Sequence, residues 1–214
     1  PNPIAATIIL IFGIQAIVLS VLLILKRPLR QSNIFLALVL FFFALMEVNI
    51  GWGNILFSYD LMHIFRYVQL ELLFGIGPAL YLFTKSVTDP DYRISTKEYI
   101  HFLPVVLEFV FYRTEIYRLG SNGLYQTPTH PFTIVYLSMQ WLGTASIFIY
   151  VLLSVRLLIK YRQWVKSKYS NLKNKSLGWL RIPIFIYSGF WIFWIITTKV
   201  DFYIFQNSCR DFYF

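Results

Sequence analysis

IAATIILIFGIQAIVLSVLLIL, from Ile4 to Leu25, carries no charged side chain. The hydrocarbon core of a bilayer is about 30 Å thick and takes about 20 apolar helical residues to cross, so this one stretch suffices for a crossing. It is too long for the apolar part of a secretory signal, no basic segment precedes it and no small-x-small cleavage site closes it, so it reads as a retained membrane helix. The whole chain of 214 residues agrees with that solvent: 57% of it is hydrophobic and 20% aromatic, while only 14% is charged, against roughly 25% in a soluble domain.

Five further apolar runs follow. Ile34 to Phe57 is interrupted by Glu47 and Asn49, and Met62 to Val87 carries His63, Arg66 and Glu71. Tyr99 to about Tyr117 is weaker and contains Pro104 and Glu108; Phe132 to Ile159 holds Gln140 as its main polar group; Trp179 to Thr198 closes the set, with Arg181 near one end, where a long side chain can snorkel to the interface. The final Asp211-Phe212-Tyr213-Phe214 reads like the opening of a seventh helix. The expectation is an all-α polytopic membrane helical bundle of six spans plus the start of a seventh, residues 1–214 forming a single transmembrane, sensor-like domain. Connections are short and polar: Lys26 to Asn33 with Pro28, Ser58 to Asp60, and Thr88 to Lys97 with Asp89-Pro90-Asp91. Arg118 to Pro131 is a longer Gly- and Pro-containing loop able to cover one mouth of the bundle, and Tyr161 to Gly178 is a basic amphipathic linker at the membrane surface.

Short loops on the retained side of a membrane are enriched in Lys and Arg. Fourteen cations fall on the first, third and fifth connections and five on the others. The N-terminus is therefore expected outside and the basic linker in the cytoplasm.

Ionisable groups inside hydrocarbon cost several kcal/mol unless they are paired or wet, which makes each one informative. By helical rise, Glu47 and Glu71 both fall near the midplane on adjacent antiparallel helices, with Arg66 the nearest cation to Glu71. His63, Tyr67 and Glu71 share a face at i, i+4, i+8 spacing. Asn49, Glu108 and Gln140 fall in the outer half as well, and Trp141 beside Gln140 stands between core packing and a pocket wall. Glu47, Asn49, His63, Arg66, Glu71, Glu108, Gln140 and Trp141 are thus the candidate ligand-binding residues, converging on an outward-opening cavity. The plainer alternative is a hydrogen-bond and ion-pair network that only fixes helix packing.

Other classes are disfavoured. The formal charge is +9, but the cations sit between long apolar runs rather than among polar residues, unlike an autonomous nucleic-acid binder. One Cys excludes a disulfide framework and a structural zinc site within these residues. His63, His101 and His130 make no H-x-x-x-H or H-E-x-x-H spacing, and no Ser/His/Asp set or phosphate loop is legible, so neither an enzyme nor a cofactor is expected. Gly75-Ile76-Gly77-Pro78 lies in an apolar run, where its glycines allow close packing or a bend.

Two local strings add a family resemblance. Gly77-Pro78-Ala79-Leu80-Tyr81-Leu82-Phe83, then a short turn, then His101-Phe102-Leu103-Pro104 resembles the N-terminal membrane domain of bacterial transcription regulators that carry an AraC-type helix-turn-helix domain at the C-terminus. The likeness covers about Ile4 to Phe214 by hydropathy, and by residue these two strings with Trp179-Leu180-Arg181. It implies a multi-pass sensor of about seven spans in the bacterial inner (cytoplasmic) membrane, signalling to a cytoplasmic DNA-binding domain beyond Phe214; the outer-half polar cluster adds the expectation of a small-molecule ligand from the outer side, and a homodimer is a further expected partner. A small carrier or channel-like protein using midplane carboxylates is the alternative, and an intramembrane enzyme a third class.

Overall fold

The computed structural model describes residues 3–59, 72–89, 91–110 and 131–168. All regular structure among them is helical. Helix α1 spans Pro3–Leu25, α2 Gln31–Ser58, α3 Ile76–Thr88, α4 residues 103–110 and α5 Pro131–Lys168; 3-10 segments at Leu73–Gly75 and Thr96–Phe102 lead into α3 and α4. Three of these helices, α1, α2 and α5, are long and apolar enough to cross a membrane. The expected sixth and seventh spans, and the loop from Arg118 to His130, lie outside the described residues.

Helices α1 and α2 form an antiparallel hairpin set by small residues at a period of seven. Ala6, Gly13 and Ser20 on α1 are buried, as are Ala37, Ala44 and Gly51 on α2. A Cβ at Gly13 would stand 2.8 Å from Val48 Cγ2 and 3.1 Å from the Val48 nitrogen, and one at Gly51 would stand 3.0 Å from the Ala6 carbonyl. Ser20 Oγ donates to the Ala37 carbonyl at 2.8 Å, which satisfies the hydroxyl across the seam. Lipid supplies no hydrophobic drive between helices, so this close backbone approach and its dispersion contacts are what hold the pair. The rest of α1, from Ile4 through Leu25, presents large apolar side chains outward, as a lipid-facing helix does.

The core lies on the other face of α2. Phe35, Val39, Phe42 and Met46 recur at three- and four-residue spacing and pack with Leu73, Ile76, Ala79, Leu80 and Phe83 of the α3 region and with Ile147, Val151 and Leu158 of α5. A Cβ at Gly75 would stand 2.5 Å from the Phe42 ring, and one at Gly77 2.8 Å from Tyr150 Cδ2, so both glycines serve helix contact. Buried hydroxyls bond within their own helices: Thr84 to the Leu80 carbonyl at 2.9 Å and Ser154 to the Tyr150 carbonyl at 2.8 Å.

Two sequence expectations change. The span from Met62 to Val87 is not one continuous α-helix: Leu72 is non-helical (φ −138°, ψ 77°), and a 3-10 turn precedes α3. Pro78 explains it, because its ring opposes the carbonyl four residues back and it has no N–H, which is tolerated only in a first helical turn. In addition, α5 does not end near Ile159 but continues through the start of the basic linker to Lys168.

Contacts fix which ends lie together. The Ile94 N–H donates to Gln31 Oε1 at 3.0 Å, and the Phe35 and Tyr92 rings are 6.3 Å apart, so the loop after α3 meets the start of α2. Gly143 lies against Leu73, and Gly77 against Ile147 and Tyr150, so α5 runs parallel to α3. Lys26, Arg27, Arg30, Lys85, Arg93, Lys97, Arg156, Lys160, Arg162, Lys166 and Lys168 consequently all lie at one end of the bundle, and these are all the Lys and Arg among the described residues.

Candidate functional site

Glu108 sits on α4 with 5% of its surface exposed. Its two carboxylate oxygens accept separate backbone N–H groups at the start of the 3-10 turn, Leu73 to Oε1 at 3.1 Å and Phe74 to Oε2 at 3.2 Å. A helix start leaves several N–H groups without intrahelical partners and carries partial positive charge, so a carboxylate there meets both needs. Here it comes from another helix, 34 and 35 residues along the chain. The turn that leads into α3 therefore has its end-group supplied by α4.

Asn49 lies on the same core-facing stripe of α2 as Phe42 and Met46 and is 6% exposed. It stands seven residues, about 10 Å, beyond the level at which Phe42 meets Gly75, away from the cationic end. Trp52, one turn further, has its indole Nε1 buried without a hydrogen-bond acceptor among the described residues. Its sequence setting, one ring in an aromatic-rich chain, gives no signal that this N–H is buried. Glu47 is half-buried and makes no hydrogen bond or ion pair among the described residues. Two residues of helix turn it about 200° from Asn49, so the two do not share a face.

Of the other expected site residues, Trp141 is 47% exposed on α5 beside exposed Leu142. Gln140 lies within α5 with its side chain outside the described set, and His63, Arg66 and Glu71 lie outside the described residues. Among the described residues no three metal-ligating side chains come together.

At the cationic end a second polar cluster forms that the sequence reading missed. Glu98 pairs with Lys85, accepts from the Tyr92 hydroxyl at 2.7 Å, and accepts from the Ser95 N–H at 2.8 Å. Ser95 and Glu98 make a capping box for Thr96–Phe102, and the S-x-x-E pattern was its available signal. Lys85 Nζ also stands 4.9 Å from the Tyr92 ring centroid. Burial alone would raise the Glu98 carboxyl, but the bonds from Lys85, Ser95 and Tyr92 and the Lys85 charge outweigh it and hold it at about 2. The Tyr92 phenol is pushed up, first by burial and then by its bond to the Glu98 carboxylate. Nearby, His101 Nδ1 and the Tyr150 hydroxyl are 2.9 Å apart, and Tyr81 packs against both rings, tying the 3-10 segment to α3 and α5.

No family model, curated protein or solved structure matches this chain. The polar groups that the described residues bring together are a carboxylate clamp on a helix start and buried Asn49 in one half, and an ion-paired loop and a cluster of cations at the other end.

Proposed function

We propose that this chain is the membrane-embedded sensor of a transcription regulator, with six spans, a seventh leading inward, the N-terminus outside and the cationic end in the cytoplasm. It takes a small molecule from the outer side and signals to a cytoplasmic DNA-binding domain beyond Phe214, alone or as a homodimer. The observation that carries this reading is the Glu108 clamp. A ligand in the outer half that offers its own acceptor to the Leu73 and Phe74 N–H groups, or that draws Glu108 away, shifts α3 along its axis. The far end of α3 carries Lys85, bonded to Glu98, so the shift is delivered to the cationic end. Such a ligand must bind one packing more tightly, and about 1 to 3 kcal/mol of differential affinity gives a usable signal.

The test is a transcription reporter driven by the full-length protein carrying Glu108→Gln or Asn49→Ala. Expected is normal insertion with regulation locked or shifted across conditions that switch the parent. Unchanged regulation by both inserted variants would leave the groups as packing alone. A second reading, a small carrier, is favoured by half-buried Glu47, a carboxylate without a described partner; ion flux in proteoliposomes that is abolished by Glu47→Gln would select it.

A further inference from the structure

Helix α5 has 38 residues and is about 57 Å long, far more than a 30 Å hydrocarbon core. From Pro131 to Val155 it has no charge; then Arg156, Lys160, Arg162, Lys166 and Lys168 follow within thirteen residues, and the helix contains no Asp or Glu. All five cations are exposed. None pairs with a carboxylate among the described residues, where the one salt bridge is Lys85 with Glu98. Cations concentrated there without acids attract an external anion, and the abrupt change from apolar to basic sequence puts that attraction at the membrane boundary.

We propose that Arg156 and Lys160 bind the headgroup phosphate of an anionic phospholipid, with Trp164 as the interfacial ring above them. The two cations are one turn apart on one face, about 6 Å along the axis, a separation that lets both reach one phosphate. Arg supplies a planar fork matched to phosphate oxygens, and Lys a compact point charge. Trp164 continues the same i, i+4 row and is half-exposed; Lys168 Nζ lies 5.0 Å from its ring centroid, and Tyr161 packs 6.0 Å away. Amphipathic rings of this kind settle at headgroup level. The row is built on a fixed side of the helix because Leu158 and Val165, on the opposite flank, are buried. Arg162 and Lys166 lie about 3 and 9 Å beyond Lys160 along the axis and act on the anionic surface within a Debye length of about 10 Å, while Lys168 lies farther out. A nucleic acid or acidic peptide would have no reason to seat at the apolar edge, where Arg156 starts the row.

The test uses the full chain in detergent micelles, titrated with phosphatidylglycerol, phosphatidylcholine or inorganic phosphate and followed by native mass spectrometry. Expected is retention of phosphatidylglycerol over phosphatidylcholine, little binding of free phosphate, and a loss of roughly fivefold in phosphatidylglycerol affinity for each of Arg156→Gln and Lys160→Gln. Arg156→Lys should keep most of the preference. Equal retention of the two lipids by the parent, or phosphate binding as tight as phosphatidylglycerol, would overturn the proposal. An equal loss in Lys26→Gln/Arg27→Gln, which removes two cations from the same end but not from α5, would overturn it too by showing a diffuse charge effect.

Discussion

Glu108 and Glu98 are both carboxylates in hydrogen-bonded settings, yet they do different work. Glu108 satisfies two N–H groups at once, that of buried Leu73 and that of part-buried Phe74. Removing it leaves both unmet at about 1–3 kcal/mol each, whereas a Gln oxygen can still accept one of them. Thermal unfolding in detergent should therefore rank the parent above Glu108→Gln and that above Glu108→Ala; an Ala variant as stable as the parent would show the N–H groups to be met elsewhere. Glu98 is the pH-sensitive group. With its carboxyl at about 2 rather than the model-compound 4.5, its stabilisation is complete above about pH 4.5 and is lost as pH falls toward 2. Protection factors over Thr96–Phe102, that is, hydrogen exchange corrected for its intrinsic pH dependence, should fall across that interval in the parent, while in Glu98→Gln they should be low throughout and flat with pH. Glu108 was legible as a polar group in an apolar run, because such a group always needs a partner. Its partner was not, since backbone N–H groups become available only where a helix starts, and that start depends on Pro78 occupying a first turn.

At the level of elements, the long helices α1, α2 and α5 follow directly from long apolar runs, and lipid as solvent explains why hydropathy alone finds them. The α1–α2 seam was present in the sequence as Ala6, Gly13, Ser20 and Ala37, Ala44, Gly51, but a search for large apolar periodicity passes over small residues. Gly51→Leu tests the seam: the added side chain meets the Ala6 carbonyl and Leu10 backbone about 3.0 Å from its Cβ, where neither can yield cheaply. Overpacking of this kind costs about 1–3 kcal/mol, so the hairpin should melt earlier in detergent than the parent. Leu at Gln15, exposed on the outer side of α1, should leave the melting point unchanged. The interruption before α3 and the continuation of α5 to Lys168 were hidden for opposite reasons. Apolar sequence conceals a break when its polar needs are met from another helix, and a basic stretch resembles a loop although Val165 continues the buried stripe of Ile147, Val151 and Leu158.

For the molecule as a whole, the decisive feature is polarity along the bundle axis. Every Lys and Arg among the described residues lies at one end, and buried Asn49 and Glu108 lie toward the other. The alternating cation count in the sequence anticipated this grouping, and the contacts between α2, α3 and α5 bring three separate basic segments together. The proposed inward signal requires that end to face the cytoplasm. Labelling of single cysteines tests it, using Asp91→Cys and Ser167→Cys, both exposed, in a Cys209→Ser background. An impermeant maleimide should leave both unlabelled in intact cells and label both in inverted membrane vesicles; labelling of either from outside intact cells would contradict the proposed topology and the direction of signalling built on it.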